Sequence, residues 1–176
     1  MNDDLGSSRR TARHRTRGQA LVEFTLVAPM LFLLILGTIE AGRFIFFLEV
    51  LNNAAREGAR YAVVHGAEAT CPSGPPPFGT VNNCDPGGDN VKAAVQDGAF
   101  DLVGLGDLFV HDPVWTNRST PANPKPGDAS TGTNARGEYV TVFVDFVYQP
   151  LTSQVLDIGV LPDITISAES TLVVNY

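Results

Sequence analysis

The chain has 176 residues, a formal net charge of −7, a pI near 4.8 and only two cysteines. That length accommodates one modest folded unit plus an anchor, but not two ordinary domains with separate cores. The acidic balance excludes nucleic acid as a partner, because phosphate binding needs a concentrated basic surface.

Residues 1–18 form a basic leader in which Arg9, Arg10, Arg13, Arg15 and Arg17 outnumber Asp3 and Asp4. A basic flank ahead of an apolar span is held on the cytoplasmic side, so everything after the span is expected outside. From Leu21 to Gly42 only Glu23, Thr25, Thr38 and Glu40 interrupt the apolar run, which matches the ~20 residues needed to cross a bilayer. The run is too long, and passes too directly into further helix, to be a cleavable secretory signal.

The helix is expected over residues 19–64, roughly 65 to 70 Å at a rise of ~1.5 Å per residue, with a kink at Pro29. Beyond the span, Phe44, Phe47, Leu48, Leu51, Ala55, Ala59 and Ala62 recur at three and four residues among charged positions. That spacing draws an apolar stripe along a charged stalk. Residues 65–88 are rich in Gly and Pro and read as a linker. Cys71 and Cys84 both fall there, and in an oxidising compartment they are expected to pair.

Residues 89–176 then form a small head. The stretch "DNVKAAVQDGAFDLVG" reads as a short helix capped by Asp89, with Val91, Ala94, Val95 and Phe100 toward a core. "DLFVHDPVW" reads as one strand, and residues 117–137, polar and Pro-rich, as a long exposed loop. In "EYVTVFVDFVYQP", Val140, Val142, Val144, Phe146 and Tyr148 share a face. In "DITISAESTLVVNY" the same holds for Ile164, Ile166, Ala168, Leu172 and Val174. The expected fold is α+β: a long N-terminal transmembrane and stalk helix, then a short helix and an antiparallel sheet of about three strands.

Little in the head points to chemistry. His14, His65 and His111 are scattered without metal-ligand spacing. Asp85, Asp89 and Asn90 offer oxygens but fail the calcium-loop spacing, and fit turns and a helix cap better. No serine sits in a nucleophile motif, and Gly104 and Gly106 lack the lysine of a phosphate loop. Asp107, Asp112, Asp145 and Asp157 would matter only if folding gathered them. No catalysis, metal or cofactor is expected.

Glu23 is the anomaly, since a carboxylate inside an apolar helix costs ~2.5 to 3.5 kcal/mol at the centre of a span, less near its end. With Gly18 five residues before it and Phe24 directly after, it resembles the processing motif of type IV prepilins and pseudopilins. The resemblance implies cleavage by a prepilin peptidase between Gly18 and Gln19, with Glu23 and Phe24 used in recognition and assembly. Cleavage would leave an ammonium on Gln19, and opposite charges attract far more strongly in low dielectric than in water.

The longer stretch "GQALVEFTLVAPMLFLLILGTIEAGRFIFFLEVLNNAAREGARYAVVHG" resembles the TadE-like family of pilus-assembly pseudopilins. "YQPL" and "ITISAESTLVV" resemble that family's C-terminal part. The implied function is structural: a minor pilin-like component of the tight-adherence (Flp) pilus machinery, single-pass in the inner membrane with its N-terminus inside. Its implied partners are other pilins and pseudopilins, the prepilin peptidase, the inner-membrane pilus platform and the lipid bilayer. Arg56, Glu57 and Arg60 would pair with a neighbouring stalk, or else form a solvated helix face. The alternative is an uncleaved, signal-anchored module that binds an extracytoplasmic ligand.

Overall fold

The computed structural model describes residues 12–81, 84–102, 106–119, 123–151 and 163–175. Its elements, in chain order, are α1 (Ala12–Val64), α2 (Asp89–Gly98), β1 (Asp107–Val110), β2 (Val114–Thr116), β3 (Tyr139–Tyr148) and β4 (Ile164–Val173). A short 3-10 turn, Phe100–Leu102, follows α2. The chain divides into two units, Met1–Gly42 and Arg43–Tyr176, and α1 contributes to both.

In the first unit, α1 begins at Ala12, ahead of the expected Gln19, and remains helical through Pro29. Leu21, Phe24, Leu26, Met30, Phe32 and Leu34 are all exposed, so the apolar surface runs around the helix rather than along one stripe. A helix apolar all round suits a lipid surrounding. The segment Gly18–Val64 is long and apolar enough to cross a bilayer once. Its threonines are reconciled locally: the hydroxyls of Thr25 and Thr38 donate to Leu21 O and Leu34 O, each at 2.8 Å, as hydrocarbon requires of polar groups.

In the second unit α1 becomes one-sided. Phe47, Leu51, Ala54, Ala55, Ala59, Ala62 and Val63 are buried, whereas Leu48, assigned to the stripe from spacing, is exposed. This face joins Val91 and Val95 of α2 and Val140, Val142, Val144, Phe146 and Tyr148 of β3 in a single core. The small residues have a geometric purpose. A Cβ on Gly58 would overlap Val95 Cγ2, and one on Gly98 would lie 3.1 Å from Ala54 Cα, so α2 approaches α1 more closely than ordinary side chains permit.

β3 is the centre of an antiparallel sheet. β4 pairs along its whole length, from Tyr139 opposite Val173 to Tyr148 opposite Ile164. β1 and β2 share its other edge, where "DLFVHDPVW" reads as one strand but forms two. Val110 stands opposite Val144 and Val114 opposite Thr141, so the edge carries one extra residue between them. That is a bulge, and Pro113, with no N–H for the ladder, sits inside it. His111 N–H still donates to Phe143 O at 3.2 Å, holding the interruption against β3.

Other expectations shift by small, explicable amounts. Phe100 is 74% exposed while Ala99 and Leu102 are buried, because the helix ends at Gly98 and the 3-10 turn rotates the next side chains. Ile164 and Leu172 are exposed, and Ile166 and Ala168 of β4, with Val174 just past its end, reach the core. Thr141 and Phe143, on the face of β3 away from α1's core residues, are nonetheless buried. Pro126 lines a groove over that face with Phe143, Asp145 and Glu169.

Replacing Gly58 by Val puts a branched side chain against Val95, with only a small gain in helix propensity to offset the clash. It should cost about 1–3 kcal/mol, read as a lower unfolding midpoint in detergent, whereas Arg56→Ala on the exposed face should stay within about 0.5 kcal/mol.

Candidate functional site

Gly18, Gln19, Glu23 and Phe24 lie within α1 and are all exposed. Nothing lies within 4 Å of where a Gly18 Cβ would be. Gln19 Nε2 is 3.5 Å from Glu23 Oε1, one helical turn on, so the residue after the expected scissile bond and the acid share one helix face. Gly18 is also the weak point of that turn, because glycine costs about 1 kcal/mol relative to alanine inside a helix. The sequence before Ala12 lies outside the described residues.

Farther along, Arg56, Glu57 and Arg60 are exposed on the side of α1 away from its core residues. They stand on a ridge that also carries exposed Asn53 and Val64. Arg43, three residues after Glu40 and by that spacing expected to pair with it locally, also meets the aromatic core. Its guanidinium carbon lies 5.5 Å from the ring centroids of both Phe47 and Tyr148. Phe47 in turn packs edge-on against Phe146 and Tyr148, each at 5.3 Å, so the cation caps an aromatic cluster.

In the head, Cys71 and Cys84 form a disulfide with Cα atoms 5.3 Å apart. The enclosed loop packs as part of the head rather than as a free spacer. Ser73 bridges Asp85, Gly74 N–H donates to Asp85 O at 2.7 Å, and Ser73 N–H donates to His65 O at 2.8 Å. The loop closes over Trp115, which is buried. Cβ atoms on Gly74 or Gly88 would strike its indole, and both glycines have positive φ.

Asp85 is the pivot of this region. The cap of α2 was expected at Asp89, but the N-cap position is Gly88 in a left-handed conformation without a side-chain cap. Asp85 supplies the acceptors instead: Asp89 N–H donates to its Oδ1 at 2.6 Å and Asn90 N–H to its Oδ2 at 3.0 Å. Both oxygens satisfy N–H groups that the helix start leaves open. Among the described residues no group of three or more His, Cys, Asp or Glu is placed to hold a metal.

Of the four scattered aspartates, the described ones, Asp107, Asp112 and Asp145, belong to no cluster of three or more His, Cys, Asp or Glu placed to hold a metal. Asp112 accepts from Lys92 Nζ at 2.7 Å and Asp145 lies 2.7 Å from His111 Nε2. Asp107 starts β1, and Asp157 lies outside the described residues, as does the His14 side chain. His65 stacks on Tyr61 with ring centroids 3.9 Å apart and donates to Tyr61 O. Residues 117–137 are mostly exposed, yet Asn134 is fully buried. Its N–H donates to Pro75 O at 2.8 Å and its carbonyl accepts from Ala67 at 2.9 Å. No local pattern marks Asn134, because its partners are some 60 residues away.

Lys92 has its pKa raised above 10.5, first by the hydrogen bond to Asp112 and then by that to Asp89, against a partial desolvation that lowers it. It ties α2 to the bulge between β1 and β2.

Residues 18–60 match the family described as TadE-like protein. This N-terminal segment, from the glycine of the expected cut through the small-residue face of α1, is TadE-like. No match is found among curated proteins or among solved structures.

Two outcomes are expected from the head. Reducing the disulfide, or the pair Cys71→Ser and Cys84→Ser, should cost about 3 kcal/mol for a loop of this size, read by denaturant titration with and without reductant. Lys92→Met should lose less than about 1 kcal/mol because its partners are well exposed. A raised lysine pKa stabilises below the unfolded value, so the gap to the native chain should be constant through neutral pH and close as pH rises beyond 10.5.

Proposed function

We propose that this chain is a pilin-like, pseudopilin component of the tight-adherence (Flp) pilus assembly and secretion machinery, structural rather than catalytic. The observation that carries the reading is where the family match begins: at Gly18, with Glu23 five residues on and Phe24 next to it. The prepilin peptidase would cut between Gly18 and Gln19 on the cytoplasmic side, where the arginines of the leader hold the chain. A protease needs its substrate locally unwound, and a helical glycine in open space is the cheapest place for that.

Cleavage would turn Gln19 into a helix N-terminus carrying an ammonium, with Glu23 on the same face. The acid then has a partner of opposite charge within its own subunit or on a neighbour, and the helix dipole also favours a carboxylate near that end. A buried charge pair of this kind fixes the axial register of packed helices, the best-attested use of polar groups in an apolar seam.

In this reading α1 is a single-pass anchor in the inner membrane. Its fully exposed apolar part packs on other pilins and on lipid, and the platform and peptidase act from the membrane and cytoplasm. Arg56, Glu57 and Arg60 face outward and offer charges to the stalk of a neighbouring pseudopilin. The disulfide-bearing head lies outside the cytoplasm, the compartment where such a bond persists.

Intact-mass measurement of protein from native membranes should give an N-terminus at Gln19, and Gly18→Asp should retain Met1. Glu23→Ala should still insert and lower pilus assembly at least tenfold. A chain carrying Met1 with assembly intact would instead favour the uncleaved binding module.

A further inference from the structure

Three buried polar atoms belong to residues that meet around Ser73 and Gly74, where the disulfide loop joins the sheet: Ser73 Oγ, Trp115 Nε1 and Asn134 Oδ1. None has a protein hydrogen-bond partner, and the three residues are 0%, 1% and 0% exposed. All three adjoin one peptide, that between Ser73 and Gly74. Asn134 Nδ2 donates to Ser73 O at 3.1 Å and lies 3.5 Å from Gly74 O, which places the other arm of the same amide beside that peptide. The indole arrives from β2, its Nε1 2.9 Å from where a Gly74 Cβ would stand.

The chemistry of the three atoms is complementary but not directly joined. An indole N–H only donates, an amide oxygen only accepts, and a serine hydroxyl does both. Buried groups of this kind are almost always paired, with protein or with an ordered solvent molecule. A site with polar partners on three sides is the setting in which an internal water makes its usual ~3 hydrogen bonds.

We propose that one long-lived water molecule is an integral part of the head, accepting from Trp115 Nε1, donating to Asn134 Oδ1 and exchanging a hydrogen bond with Ser73 Oγ. It joins three segments that are far apart in sequence: the disulfide loop, β2 and the end of the 117–137 loop. Gly74 lets the indole pack directly on the backbone beside Ser73, since any side chain there would collide with the ring.

Trp115 is the only tryptophan in the chain, so an isotopically labelled full-length protein in detergent micelles gives one indole N–H resonance. The expected result is a cross-relaxation peak between that proton and water, with the sign of a slowly tumbling pair and opposite in the rotating frame to an exchange peak. The peak should persist in Ser73→Ala, or in Ser73→Gly should the alanine variant not fold, because the hydroxyl is not the relay. Absence of the peak, an exchange sign, or its loss in the serine variant would overturn the proposal.

Discussion

One unbroken helix has to be stable in two surroundings, and the rest of the molecule follows from how its surface changes along its length. Through Gly42 the side chains are large and apolar on every side, as suits a solvent of hydrocarbon tails. From Arg43 onward the same backbone presents a narrow face of Ala54, Ala55, Gly58, Ala59 and Ala62 to a protein core. Ala54, Gly58 and Ala62 are spaced by four and lie on one ridge. Their smallness lets the branched side chains of Val95 and Val142 and the backbone of Val91 close on the helix axis. The fit is reciprocal, because α1 together with α2 covers the inner face of β3.

The remainder of the head is held by polar ties of long sequence separation. Asp85 starts α2, Asn134 binds the far loop to the disulfide segment, and Trp115 fills the space between two glycines that cannot carry side chains. These contacts rigidify a region whose composition, Gly, Pro and polar residues, offers little apolar area to bury.

The difference between these two kinds of cohesion explains what could be read in advance. Periodicity reveals burial within one element, so the apolar span, the stripe through Phe47, Leu51 and Ala55, and the alternating face of β3 are visible in the order of residues. Gly18, Glu23 and Phe24 are visible as a spaced motif. Periodicity cannot see a partner 60 positions away, which is why Asn134 reads as loop and Trp115 as an ordinary strand residue. The exchange of Asp89 for Asp85 as the cap of α2 is subtler. Both are acids before an apolar run, and only the left-handed turn at Gly88 decides which one reaches the open N–H groups. Likewise Pro113 announces an interruption, but whether it ends a strand or merely bulges it depends on β3 keeping its register on both sides.

Cys84 immediately precedes Asp85, so the covalent closure of the loop and the birth of the second helix are neighbours along the chain. While the thiols are kept reduced, the acid that must meet Asp89 and Asn90 rides on an untethered segment and has more conformational freedom to surrender before α2 can begin. Oxidation removes that freedom in advance. The bond thereby decides whether α2 starts from a pliant segment or from one whose ends are already joined.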